Sequence, residues 1–133
     1  MATSRSSNSY TAHTDTPMAM KVRTQLMKAF EEEAVRLMQQ RLAERIQLEC
    51  SDAVCGWTRS KLMKYVVDGY EDGVDLDITH EDDIFRFLRL GLLGREYWSS
   101  EFVEVITRIL HNRNASAHRR LNFIERHVIR PRA

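Results

Sequence analysis

The chain has little of anything that would cross-link it, anchor it or announce a chemistry. Its two cysteines, Cys50 and Cys55, are too few for a disulfide framework and fit a reducing environment. No second Cys pair or His pair stands at zinc spacing, and the five histidines form no His-Glu-x-x-His motif, so neither a metal nor any cofactor is predicted. No apolar run approaches the ~18–20 residues of a membrane span. The longest, near Leu88–Leu93, is interrupted by Arg89 and Gly91 and followed by Gly94. Arg5 is followed only by polar residues and not by an apolar stretch, so the expected compartment is the cytoplasm. Nothing matches Gly-x-Ser-x-Gly or a Gly-rich phosphate loop, and Gly91-Leu-Leu-Gly94 lacks the Lys and hydroxyl groups of a phosphate site. The expectation is a protein that is not an enzyme.

Net charge is also nearly absent, at +1, which gives no overall pull toward nucleic acid. The charges are nevertheless sorted along the chain. Val66 to Asp83 holds Asp68, Glu71, Asp72, Asp75, Asp77, Glu81, Asp82 and Asp83 with no Lys or Arg. From Val105 onward come Arg108, Arg113, Arg119, Arg120, Arg126, Arg130 and Arg132, opposed by Glu125 alone. Each pole is a candidate contact surface, and each could also neutralise the other. The candidate partner-binding residues are Asp72, Asp75, Asp77, Arg113, Arg119, Arg120 and Arg126.

What the sequence does contain is helix signals. Residues 1–19 are polar and read as a disordered tail ahead of a helical domain over 20–133. Leu26, Phe30, Ala34, Leu37, Met38, Leu42 and Ile46 recur at spacings of three and four and suggest one buried face of a first helix. Ser51 or Asp52 could cap a second helix through Trp57, Leu62 and Val66, weakened and ended by Gly69 and Gly73. Thr79 with Asp82 resembles a capping box before Ile84, Phe87 and Leu88, with Gly91 and Gly94 as the stop. Ser99 or Ser100 opens a fourth helix, apolar enough to be buried on most of its surface. Ser116 opens a fifth, with Leu121, Ile124 and Val128 on one side, ended by Pro131. No stretch shows sustained period-two alternation. The fold class is therefore all-α, a single compact five-helix domain. Its expected core joins Leu26, Phe30 and Leu37 to Trp57, Leu62, Val66, Ile84, Phe87, Leu88, Phe102, Ile106, Ile109, Leu121 and Ile124.

Two constellations have a bland reading as well as a sharp one. Asp75-Leu-Asp-Ile-Thr79 places oxygens where a calcium loop would, but His80 stands at the glycine position and Arg86 at the bidentate glutamate position. It reads as an acidic helix entry. The arginine-rich end could meet phosphates, with Phe123 stacking on a base, but no helix-turn-helix spacing emerges and the acidic block would repel a nucleic acid.

The order of short motifs resembles a group of small helical bacterial proteins encoded beside type VI secretion spike, effector and lysozyme-like genes. The residues that carry the likeness are Phe30-Glu-Glu-Glu-Ala-Val-Arg-Leu37, Gly69, Gly73-Val74, Thr79, Glu81-Asp-Asp-Ile84 and Phe87. Leu93-Gly94, Ile109-Leu110, Ser116, Arg120 and Leu121 continue it, over about residues 26–124. The resemblance implies an accessory protein of secretion and assigns no catalytic residue. The expected function is thus protein binding, as an adaptor or chaperone-like partner of an effector or spike component. A cytosolic immunity protein that blocks a toxin and a nucleic-acid-binding regulator are the alternatives. Self-association stays open beside all three.

Overall fold

The structure, a computed structural model, describes residues 17–97 and 99–129. Among these residues there are five α-helices and no strand, the all-α class that the sequence pattern predicts. Most of the tail assigned to residues 1–19 lies outside the described residues, as does Pro131, but Pro17–Ala19 begin the first helix. The chain divides at Leu37 into a first unit, which includes the start of that helix, and a second unit from Met38 onward.

Helix α1, Pro17–Glu49, corrects the expected core. Leu26, Phe30 and Leu37 are 55%, 70% and 41% exposed, whereas Leu42, Ala43 and Ile46 are fully buried. The reason is geometric. A row of i+4 steps advances about 400° per step in a helix of 3.6 residues per turn, so it drifts about 40° each time. The row from Leu26 to Ile46 takes five such steps and winds about half-way round the helix. By periodicity alone it is therefore two stripes, and the sequence pattern merges them into one.

Helix α2, Arg59–Asp75, starts later than Ser51 or Asp52 would place it. Its cap is Thr58, whose hydroxyl accepts from the Lys61 amide at 3.1 Å. It also runs through Gly69 and Gly73 and ends where Asp77 takes the left-handed conformation, at φ 62°. Helix α3, Glu81–Tyr97, likewise passes through Gly91 and Gly94. The Ile84 amide donates to His80 O, so the cap falls at His80 and not at Thr79.

Gly69 and Gly91 are needed inside these helices because α2 and α3 approach closely. A Cβ on Gly91 would stand 2.5 Å from the Tyr65 hydroxyl, which donates to Leu88 O at 2.6 Å. One on Gly69 would collide with the Leu88 side chain. Ser99 caps α4, Ser100–Leu110, and Ser116 caps α5, Ala117–Phe123, each through its hydroxyl, as the sequence suggests. Val103 and Val105 are 42% and 40% exposed, so α4 is buried on one side only, at Ile106 and Leu110. α5 continues into a π-helical segment, Ile124–Ile129, and α4 packs against both.

The buried cluster joins Leu42, Ala43 and Ile46 to Leu62, Val66, Ile78, Ile84, Phe85, Leu88, Ile106, Leu121 and Ile124. Trp57, Phe87, Phe102 and Ile109, also expected in the core, are partly buried at its margin. Phe85 is 1% exposed beneath two guanidiniums, Arg45 at 4.0 Å and Arg89 at 5.4 Å from the ring centre. Truncating Phe85 to Ala should cost about 3–5 kcal/mol, while Leu48→Ala, at an 82% exposed position, should stay within about 0.5 kcal/mol. Urea titration of the two variants checks both.

Candidate functional site

The two charge poles meet within the chain. Arg113, in the turn after α4, donates through Nη1 to Asp77 Oδ2 at 2.7 Å and through Nη2 to Asp75 O at 2.6 Å. The ion pair is largely exposed and contributes little alone. The bond to the carbonyl adds a fixed geometry, tying the turn before α5 to the left-handed corner after α2. Of the three acidic candidates, Asp77 is thereby engaged through its carboxylate and Asp75 only through its backbone carbonyl. Asp72 stands apart from them, exposed on α2.

Arg120 has a different role from its neighbours. It is 3% exposed, and its guanidinium donates to the carbonyls of Leu110, Ala115 and Ser116. Leu110 O closes α4 and Ala115 O lies in the turn after it, where helical donors run out, while Ser116 O also takes the Arg120 amide at 2.9 Å. Burial, and then the neighbouring Arg113, pull its pKa below the ordinary arginine value, with Asp77 opposing.

Arg119 and Arg126 remain exposed, and neither guanidinium makes an ion pair among the described residues. Phe123 lies between them in the sequence, 50% exposed, with the His127 ring 4.6 Å from its own. α3 and the π-helical segment flank a crevice of about 400 Å³. Leu90, Leu93 and Ile129 give it apolar walls, and Arg126 stands on its lining. Leu93 is 44% exposed. π-helical turns are rare and concentrate at functional sites.

Arg86 holds this crevice together, although by sequence its only use is to exclude calcium. Its side chain is 14% exposed. Nε and Nη2 fork onto the two Glu125 oxygens at 3.1 and 3.0 Å. Nη2 also reaches Asn122 Oδ1 at 2.5 Å, and Nη1 reaches His118 Nδ1 at 3.0 Å and Asp83 Oδ1 at 3.4 Å. Arg89 adds a contact to Glu125 at 3.3 Å. Arg86 and Glu125 are thirty-nine positions apart, so no local spacing signals the pair. The one sequence clue is that Glu125 is the lone acid in a basic stretch.

Burial pushes the Glu125 carboxyl up, but the Arg86 and Arg89 guanidiniums together outweigh it and hold the group below the usual carboxylate range. A carboxyl with a folded pKa below its unfolded one stabilises the fold above the unfolded pKa, and that stability is lost as pH falls through the folded pKa. Glu125→Gln should therefore melt below the wild type at neutral pH, and the gap should close in acid below the carboxylate range. Thermal melts across pH check the sign.

Among the described residues no cluster of three or more His, Cys, Asp or Glu could hold a metal ion, and no helix is long and apolar enough to cross a membrane. No protein-family model, no curated protein and no solved structure matches this chain.

Proposed function

We propose that this chain is a non-enzymatic protein-binding accessory protein that docks its partner on the outward side of α5 and its π-helical continuation. The observation that carries the reading is Phe123, half exposed and between Arg119 and Arg126 in the sequence, with Arg126 also on the lining of the crevice with apolar walls. Aromatic and arginine side chains are the ones enriched where interfaces concentrate their energy. A partner segment with an apolar anchor and acidic flanks fits this face, and complementary charge would steer its approach. The likeness to secretion-associated proteins supports a type VI effector or spike component as that partner, with this chain acting in the cytoplasm as adaptor or chaperone.

A nucleic acid is the competing occupant, since Phe123 could stack on a base and arginines could meet phosphates. Charge disfavours it. Arg113 is already paired with Asp77 and Arg120 is buried against carbonyls, which leaves Arg119 and Arg126 of the four arginine candidates. Each neutralised phosphate contributes about one unit to the salt slope on duplex DNA, so these two arginines by themselves add only about two.

The test is affinity capture from the native host by the wild type and by a Phe123→Ala, Arg119→Glu, Arg126→Glu variant, with each captured protein identified and the complex rebuilt from purified components. The expected result is a complex that the wild type forms and the variant loses by about a hundredfold or more, in line with the loss of a hot spot. Rebuilding with a toxin, with loss of its activity, would shift the reading to an immunity protein. Duplex DNA bound at nanomolar strength and physiological salt, and lost in the variant, would overturn protein binding.

A further inference from the structure

Every residue of α1 from Met20 to Ala34 is exposed, and this stretch carries Val22, Leu26, Met27 and Phe30 at 51–70% exposure, with Leu37 following at 41%. Exposed apolar surface of that extent marks an interaction site. We propose that this stretch pairs with the same stretch of a second copy of the chain, antiparallel, about a twofold axis at Lys28. None of its residues belongs to α5, and the proposal does not depend on that face.

The argument is one of register. Arg23, Leu26, Phe30, Glu33 and Leu37 follow one another at steps of three, four, three and four, the spacing of a coiled-coil seam. Four of these positions are symmetric about residue 28. Leu26 and Phe30 lie two residues to either side of it, and Arg23 and Glu33 five to either side. In an antiparallel pair centred there, Leu26 of each copy meets Phe30 of the other, and Arg23 of each meets Glu33 of the other. A parallel pair would instead set Arg23 against Arg23 and Glu33 against Glu33, like charges facing at the seam, which is disfavoured. Charge therefore selects both the occupant and the direction.

The remaining charges fit this arrangement. Lys28 is about 160° round the helix from Phe30, so the axis does not oppose two lysines. Glu33 already accepts from Arg36 at 3.0 and 2.5 Å, but a carboxylate has about four acceptor sites and can take Arg23 as well. Arg23 makes no ion pair among the described residues. The paired residues, Arg23 to Glu33, span about 15 Å at 1.5 Å per residue, a short seam that gives a concentration-dependent dimer and not an obligate one.

Sedimentation equilibrium of the full chain, from low micromolar to high micromolar concentration, tests this with charge-reversal, apolar and control variants. The wild type should associate into dimers as concentration rises. Arg23→Glu and Glu33→Arg should each weaken association by about tenfold or more, and the double exchange should restore it, because it only swaps the two members of each pair. All positions are exposed, and far-UV circular dichroism confirms that each variant keeps its helix content. Leu26→Ser, which leaves the charges alone, should weaken association as well. A chain that stays monomeric throughout overturns the proposal. So does a dimer indifferent to the reversals, or one that the double exchange fails to rescue. The Arg119→Glu and Arg126→Glu changes should leave association unaltered, which keeps this result distinct from that for the α5 face.

Discussion

The Arg86 guanidinium imposes a strict condition on the second unit of the chain. It is 14% exposed, so its charge needs partners in fixed positions, and those partners come from two helices. Asp83 stands one turn earlier on α3, while Asn122 and Glu125 belong to α5 and its π-helical continuation. α5 itself is only Ala117–Phe123, too short to hold its shape without tertiary contacts. The Arg86 fork and the burial of Leu121 and Ile124 fix it from two sides. The face that presents Phe123, Arg119 and Arg126 therefore depends on a side chain that stands on a different helix.

Arginine serves three separate ends here, and environment decides which. Arg120 is sunk among carbonyls and supports the turn between α4 and α5. Arg45 and Arg89 cover the ring of Phe85 and also reach Asp82 and Glu125, closing the core with charged side chains. Arg41 and Arg45 bind the acidic first turn of α3 at Glu81 and Asp82, where negative charge also favours the start of a helix. Arg119 and Arg126 are left without such tasks. Much of the charge in this bipolar sequence is thus spent inside the fold, and the surface left for a partner is smaller than the seven candidate residues suggest.

Close packing of α2 on α3 explains why glycines that look like helix stops sit within helices. Gly91 makes room for the Tyr65 hydroxyl and Gly69 for Leu88. A glycine inside a helix costs about 1 kcal/mol relative to alanine, and the contacts that it permits between the two helices offset that. From sequence, a glycine that ends a helix and one that lets a neighbour approach are the same letter.

What the sequence determined by itself was local. The all-α class, the hydroxyl caps at Ser99 and Ser116, and the buried positions Leu62, Val66, Ile84, Leu88, Ile106, Leu121 and Ile124 follow from periodicity and capping chemistry, which act over three or four residues. The seam of Arg23, Leu26, Phe30, Glu33 and Leu37 is also written in spacing, although its exposure is not. Tertiary structure alone decided which apolar stripe of α1 is covered, because periodicity describes a stripe and not what lies against it. It alone separated Arg120 from Arg119, adjacent in sequence, because helical neighbours point about 100° apart and only one of the two meets the carbonyls. And it alone joined Arg86 to Glu125 and Arg113 to Asp77, since both pairs need helices far apart in sequence to be folded together before either charge has a partner.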